Sequence, residues 1–248
     1  MHYPLDWPLD RPLGPALVYL HGGGWTIFSI DTHDRLMREY AHRAQVAVVA
    51  VDYSLSPDAK FPRALQETMA VVRWLRGHGA TLGIDPRSVA IGGDSAGANL
   101  AIATALALRD ADAGDALRGM MLNYGAFDNA CDYPTYTVFG GAGYMLGDAE
   151  MSAFWRNYLD DDGGEVSPLA CPLQARLQGL PPAYLAVAEC DVLYDENIAM
   201  IRRLKEAGVA VTANIYAGAS HSFLEAVSIS RLAERAFDDA ATWLRSIL

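Results

Sequence analysis

The sequence has few cysteines, few basic residues and no long apolar run, and each shortage excludes a class of protein. Its three cysteines (Cys131, Cys171 and Cys190) cannot all pair and show no metal-ligand spacing, which favours free thiols in a reducing compartment. The 19 Lys and Arg residues against 30 Asp and Glu residues give a net charge of −11. Such a charge argues against nucleic-acid binding, because phosphate contacts need clustered cations.

Signals for membrane insertion and secretion are missing as well. No segment reaches the roughly 18 consecutive apolar residues that a membrane span needs. The N-terminus, MHYPLDWPLDRPLG, mixes prolines with charged residues and lacks the apolar segment of a secretory signal. We therefore expect a cytoplasmic protein without a membrane span. No motif indicates a metal or an organic cofactor, so we expect none.

Short apolar runs alternate with helical patterns along the 248 residues, a length that suits one large domain (residues 1–248). The patterns predict strands at Ala16–Leu20, Val46–Val51, Ser88–Ile91, Met120–Leu122, Ala183–Ala188 and Val209–Tyr216. They predict helices at His33–Ala44, Leu65–Leu75, Ala96–Leu108, Glu196–Ala207 and Leu232–Leu248. This alternation predicts an α/β fold, with a mostly parallel central sheet and helices on both faces.

The segment Asn129–Gln178 interrupts this alternation. It is rich in Gly, Asp, Pro and aromatic residues and fits no strand–helix unit. We interpret residues 129–178 as an insertion above the sheet that forms a cap or lid, and a plain surface excursion is the alternative. Aromatic residues of the insertion and of a later loop are expected to wall a substrate pocket: Tyr133, Tyr136, Phe139, Tyr144 and Phe223.

The pentapeptide Gly93-Asp94-Ser95-Ala96-Gly97 lies between a predicted strand and a predicted helix. A serine hydroxyl is a poor nucleophile unless a strained, exposed geometry holds it beside a base. A tight strand–turn–helix elbow supplies that geometry, and the small residues around Ser95 allow strand and helix to approach closely. The alternative is a glycine-rich helix N-cap. We interpret Ser95 as a nucleophile.

A second glycine cluster, His21-Gly22-Gly23-Gly24-Trp25, closes the first predicted strand. Consecutive glycines leave backbone N–H groups free to converge on an anion, which suits an oxyanion hole. A flexible turn and a phosphate-binding loop are the alternatives, but the Lys and Ser or Thr of a phosphate loop are missing. His21 sits on the donor loop itself, so we expect it to organise this loop by hydrogen bonding.

A base and an orienting carboxylate must follow the nucleophile in this fold. His221 is the one histidine after Ser95, and it lies in a small-residue loop after the last predicted strand. For the acid, Asp191 follows the strand Ala183–Ala188 directly, whereas Asp195 and Glu196 resemble first-turn helix residues that favour the helix dipole. We favour Asp191 over Asp195, which gives a Ser95–His221–Asp191 triad.

The segments HGGGW, VDYSLSPDAKFPRAL, GGDSAGANLA, AECDVLYDE and the HSF loop resemble the bacterial hormone-sensitive lipase family, the family IV carboxylesterases of the α/β-hydrolase superfamily. The resemblance implies hydrolysis of small, short-chain carboxylic esters through an acyl-enzyme. It also implies that the oxyanion is held by the amides of Gly23, Gly24 and Ala96. The segment at Asp52-Tyr53 should buttress the site, although Ser54 and Asp58 depart from the family pattern.

The chain also departs from this family at its front, where only residues 1–20 precede His21. The resemblance therefore implies that the first strands and the N-terminal cap are reduced or missing. The strand Val46–Val51 would then lie at a sheet edge, and an apolar edge invites pairing with another chain. We expect the N-terminal segment or a second subunit to cover this edge, the latter as a homo-oligomer.

Other functions remain compatible with parts of the pattern. An amidase or arylformamidase would use the same triad as an esterase. A non-catalytic binding protein, such as the plant gibberellin receptors that resemble this family, has the triad histidine replaced, and His221 stands against that interpretation. A truncated product that folds poorly is the third alternative.

Overall fold

The protein forms six strands and seven α-helices within the residues that the structure, a computed structural model, describes: 1, 13–111, 113–160 and 165–248. The strands are β1 (Gly14–Leu20), β2 (Ala47–Ala50), β3 (Ile84–Asp94), β4 (Gly119–Asn123), β5 (Ala183–Cys190) and β6 (Val211–Ser220). The helices are α1 (Asp34–Ala44), α2 (Arg63–His78), α3 (Ala96–Asp110), α4 (Pro134–Phe139), α5 (Asp148–Tyr158), α6 (Tyr194–Glu206) and α7 (Arg231–Ile247).

All six strands are parallel, in the order β2-β1-β3-β4-β5-β6. The continuously apolar sequence of β1 is explained by the position of this strand inside the sheet. Val18 packs into the core on one face of the sheet and Tyr19 into the core on the other, so neither face meets water. The predicted parallel α/β sheet is confirmed.

Helices cover both faces of this sheet. On one face, α1 and α7 bury residues such as Tyr40 and Phe237. On the other face, α2, α3 and α6 bury residues such as Val72, Leu100 and Met200. Because the strands are parallel, their carboxyl ends share one edge of the sheet, and the loops that follow β1, β3, β5 and β6 meet there.

Strand β2 lies at one edge of the sheet, as expected from the resemblance. Its Ala47 and Val48 side chains are fully buried, so the edge presents backbone groups rather than apolar side chains. The N-terminal segment that we expect to cover this edge falls on residues 2–12, outside the described residues.

The segment 129–178 contains α4, α5 and a short 3-10 turn at Pro172–Gln174. Helix α5 packs against the glycine loop after β1. Trp25 of that loop stacks on Tyr158 with ring centroids 4.1 Å apart and planes 4° apart. Its ring also lies 4.5 Å from that of Trp155. The packing joins the end of β1 to α5.

Candidate active site

Ser95 occupies a strained turn between β3 and α3. Its backbone has φ 53° and ψ −118°, a conformation that costs energy for a residue with a side chain. Strand and helix approach β1 closely here, because a Cβ on Gly93 or Gly97 would lie 2.3 or 2.0 Å from the Leu20 carbonyl oxygen. The Ser95 N–H donates to the Asn123 carbonyl at 2.9 Å, which fixes the turn.

His221 follows β6 directly and lies within hydrogen-bond distance of Ser95 and Asp191. Its Nε2 is 3.1 Å from Ser95 Oγ, and its Nδ1 is 2.7 Å from Asp191 Oδ2. Strand β6 ends at Ser220, not at Tyr216 as predicted. His221 is therefore the first residue after the strand, so the end of the strand restricts its position. The other oxygen of Asp191 accepts the Leu193 N–H at 3.0 Å, which orients the carboxylate.

Asp195 and Glu196 point to other partners. Asp195 Oδ2 accepts the Thr135 N–H at 3.1 Å. Glu196 is fully buried and accepts the N–H groups of Phe127 and Asp128, the latter at 2.9 Å. Burial raises the pKa of the Glu196 carboxyl well above its ordinary value, although these N–H groups oppose the shift. Glu196 therefore anchors the chain after β4, a role that its helical position alone does not reveal.

The glycine loop adopts backbone conformations that favour glycine. Gly23 has φ 112° and Gly24 has φ 56°. A Cβ on Gly23 would lie 2.2 Å from the Ile27 carbonyl oxygen, and one on Gly24 would lie 2.1 Å from Phe154 Cγ. Both glycines line the same cavity as Ser95 and His221, while Ala96 is buried at the first position of α3.

His21 and Asp94 form hydrogen bonds with the backbone of this loop. The His21 ring donates from Nδ1 to the Gly22 carbonyl at 2.7 Å and stacks on Tyr53, with centroids 4.4 Å apart. Asp94 is buried, and its Oδ1 accepts the Gly22 N–H at 3.1 Å and the Tyr19 hydroxyl at 2.8 Å. These contacts agree with a role in organising the loop.

The segment around Tyr53 contacts both Glu67 and the glycine loop. Ser54 donates to Glu67 from both its backbone N–H and its hydroxyl, each at 2.7 Å. Arg63 reaches the same carboxylate at 2.7 Å. The Tyr53 hydroxyl donates to the His21 carbonyl at 2.8 Å, so the segment still supports the glycine loop.

A cavity of about 330 Å³ opens above Ser95. Its wall is formed by Gly23, Gly24, Ile27, Phe28, Thr32, His33, Asp94, Ser95, Met145, Leu146, Glu150, Met151, Phe154, His221, Ser222 and Glu225. The insertion contributes four apolar side chains and one carboxylate to this wall: Met145, Leu146, Met151, Phe154 and Glu150.

The predicted aromatic wall is wrong, because none of the five expected residues lines the cavity. Tyr133 donates to Asp128 at 2.8 Å, and Phe139 packs on Tyr144. Tyr136 is buried with its hydroxyl towards Glu196, and Phe223 packs between Tyr124 and Tyr216. Composition identified the segment but not which side chains face the cavity.

The sequence analysis also missed His33, Thr32 and Glu225, which line the cavity. Thr32 and His33 come from the loop before α1, which begins at Asp34 rather than at His33 as predicted, and Glu225 comes from a short turn after His221. Within the described ranges, no group of three or more His, Cys, Asp or Glu side chains could hold a metal ion. All three cysteines are free thiols, and no described helix is both long and apolar enough to span a membrane.

Comparison with known proteins agrees with this geometry. A family model for the alpha/beta hydrolase fold matches residues 17–225. An ethyl acetate hydrolase from Pseudomonas putida is 37% identical over 227 residues, which cover 90% of this chain and 70% of that protein. A solved esterase from Rhizomucor miehei is 36% identical with a TM-score of 0.92, covering 95% of this chain and 75% of that one. A thermostable carboxylesterase from a metagenomic library is 33% identical with a TM-score of 0.92, covering 96% and 82%.

The sheet, the elbow and these matches define an α/β-hydrolase. Within that superfamily, the chain belongs to the carboxylesterase family related to bacterial hormone-sensitive lipases. It is an esterase.

Proposed function

We propose that the protein is a serine carboxylesterase that hydrolyses short-chain carboxylic esters through an acyl-enzyme. The proposal rests on one observation above all. A continuous series of contacts runs from Asp191 through His221 to Ser95 Oγ and ends at a cavity bordered by the glycine loop. The contact between His221 and Ser95 also argues against the non-catalytic binding protein.

The first half of the reaction follows from the proton positions. The His221 Nδ1–H donates to Asp191, which leaves the Nε2 lone pair facing the Ser95 hydroxyl. His221 takes the hydroxyl proton as Ser95 Oγ attacks the ester carbonyl carbon. The amides of Gly23, Gly24 and Ala96 would stabilise the negative charge on the former carbonyl oxygen. His221 then gives its proton to the departing alkoxide, and the acyl group remains on Ser95.

Hydrolysis of the acyl-enzyme repeats the cycle with water as the nucleophile. His221 removes a proton from water, whose oxygen attacks the acyl carbon. When the tetrahedral intermediate collapses, the bond to Ser95 Oγ breaks and His221 returns the proton to that oxygen. The carboxylic acid leaves and the free enzyme is regenerated.

Three observations support short-chain substrates. The cavity of about 330 Å³ lies near the lower end of the roughly 300–1,000 Å³ range of ligand pockets. The Phe154 ring closes on Gly24, so it limits the depth of the pocket beside the glycine loop. A relative with 37% identity is named for ethyl acetate, a small ester.

The proposal also covers the role of the insertion as a cap, the cellular location of the protein and its oligomeric state. Residues of 129–178 that border the cavity support its role as a cap. Three free thiols support a cytoplasmic location. The edge position of β2 supports a homo-oligomer. Size-exclusion chromatography with light scattering tests the assembly, and a monomer at micromolar concentration rules the subunit contact out.

The reaction is tested with 4-nitrophenyl esters from acetate to decanoate. We expect kcat/KM to fall steeply as the acyl chain outgrows the cavity. Ser95→Ala should lower kcat by roughly 10⁴- to 10⁶-fold, because the triad acts as a unit. Ser220→Ala is the matched control, since it removes a hydroxyl beside His221 that is not aimed at Ser95. Activity that survives Ser95→Ala contradicts the assignment, and matched acetanilides distinguish an amidase from an esterase.

A further inference from the structure

A second histidine, His33, lies in the cavity wall between two carboxylates. Its side chain is only 4% exposed. Its Nε2 is 3.3 Å from Asp94 Oδ2 and 3.6 Å from Glu225 Oε1. Its Nδ1 is 2.9 Å from the Thr32 hydroxyl. Neither the proposed triad nor the oxyanion donors include this residue.

The hydrogen-bond partners determine the protonation of His33. The Thr32 hydroxyl lies 2.8 Å from the Ser29 carbonyl, and when it donates its proton there it accepts from His33 Nδ1. On the other side, an ionised Asp94 can only accept from Nε2. In this arrangement both ring nitrogens donate, which is the hydrogen-bonding pattern of an imidazolium.

The neighbouring His21 differs from His33 in its hydrogen-bond partners and in the direction of its pKa shift. The two rings lie 5.5 Å apart. His21 donates from Nδ1 to Gly22, but its buried Nε2 has no hydrogen-bond partner among the described residues. Burial lowers the pKa of His21. Burial also acts to lower the pKa of His33, but the Asp94 and Glu225 carboxylates outweigh it and raise that pKa above its ordinary value.

The charge on His33 bears on the glycine loop through Asp94. The buried Asp94 carboxylate accepts the Gly22 N–H and therefore sets the position of the His21–Gly22 peptide, one residue before Gly23. A Cβ on Gly22 would lie 2.3 Å from Asp94 Oδ2, so the carboxylate and this peptide are in close contact. A buried carboxylate is costly unless a cation or hydrogen bonds compensate it, and His33 supplies the cation.

We propose that His33 is a positioning residue, whose imidazolium holds the Asp94 carboxylate against Gly22 and thereby fixes the oxyanion loop. This inference rests on the proposed function, because it assigns the loop to oxyanion stabilisation. When His33 loses a proton, Nδ1 gives it up, because the Thr32 hydroxyl can turn and donate to that nitrogen while the Nε2–H stays on the Asp94 carboxylate. The buried Asp94 carboxylate then lacks its compensating positive charge, which loosens the loop, so kcat falls at alkaline pH.

Glu225 affects the pH at which His33 loses its proton. The charged and titratable groups around His33 are Asp94 at the end of β3, Glu225 on the turn after His221, and His21 on the glycine loop. Glu225 stabilises the imidazolium but does not contact Gly22. Glu225→Gln should therefore move the alkaline limb of kcat to lower pH.

The experiment measures kcat and KM for 4-nitrophenyl acetate against pH, corrected for spontaneous hydrolysis, with thermal unfolding as the check on folding. His33→Gln should lower kcat by about 10- to 100-fold, less than the roughly 10²- to 10³-fold loss of a whole oxyanion donor, with little change in KM. The fall in kcat at alkaline pH that we assign to His33 should disappear. In an Asp94→Asn background, His33→Gln should have almost no further effect, because its partner is already neutral.

Nuclear magnetic resonance of histidine-labelled protein supplies a test that does not depend on turnover. Long-range proton–nitrogen spectra at pH 7 should show both ring nitrogens of His33 protonated, with the signals assigned by their loss in His33→Gln. A singly protonated ring, a wild-type pH profile in a folded His33→Gln, or additive losses in the double variant each overturn the proposal. An inactive wild type or an active Ser95→Ala instead contradicts the proposed function.

Discussion

Replacing Asp191 with asparagine changes one atom of the carboxylate and should reverse the tautomer of His221. The Leu193 N–H needs an acceptor at the position of Asp191 Oδ1, 3.0 Å away. The asparagine oxygen takes that position, which turns its NH₂ group towards His221 Nδ1. His221 Nδ1 must then accept, so the ring proton moves to Nε2 and His221 can no longer take the proton of Ser95.

The size of the effect follows from this reversal. Loss of the correct tautomer in a serine-protease triad costs about 10⁴-fold in kcat. That loss corresponds to about 5.4 kcal/mol of transition-state stabilisation. The geometry around Asp191 is nearly isosteric, so we expect the variant to fold and its KM to change little.

The assay is the steady-state hydrolysis of 4-nitrophenyl acetate at neutral pH, with urea unfolding to confirm the fold. Asp195→Asn is the matched control, because Asp195 accepts a backbone N–H from Thr135, whereas Asp191 is the carboxylate in contact with His221. It should keep kcat within about threefold of wild type, as expected of a site that touches no reacting group. The reasoning is refuted if Asp191→Asn stays within tenfold of wild type, or if Asp195→Asn loses as much activity as Asp191→Asn.

Three further predictions concern the loop, the core and pH. Gly24→Ala should lower kcat by about 100-fold or more, since its Cβ would meet Phe154, and normal turnover would contradict the loop's role. Asn99→Ala leaves two backbone carbonyls unpaired and should reduce the urea-derived free energy of unfolding by about 2–4 kcal/mol, with Thr104→Ala costing less. Burial raises the pKa of Glu196 in the folded state. The free energy of unfolding of wild type should therefore fall relative to that of Glu196→Gln as the pH rises above 4.5. A difference between the two proteins that stays constant with pH would refute this prediction.

The sheet and the motif residues could be predicted because their signals are local. A continuous apolar run such as β1 indicates a strand buried on both faces, and parallel strands bring their following loops together. The order of Ser95, Asp191 and His221 along the chain was enough to select these candidates. Their hydrogen-bond distances in the structure agree with that selection.

The surroundings of the site could not be predicted in the same way. Which side chains of the insertion face the cavity depends on how α5 packs on Trp25, and composition carries no information about that contact. Glu196 looked like a first-turn helix residue, whereas it accepts N–H groups from the chain after β4. His33 lies between Asp94 and Glu225, which are distant from it in sequence and which only the fold brings beside it.

The aromatic packing between Trp25 and α5 has a consequence for changing the substrate range of this enzyme. Phe154 and Trp155 are neighbours on one helix, yet one closes the pocket and the other supports the loop after β1. A directed-evolution campaign that enlarges the pocket at Phe154 will also disturb the glycine loop beside it. Variants with broader substrate acceptance should therefore lose turnover first and recover it only through a second substitution near Trp25.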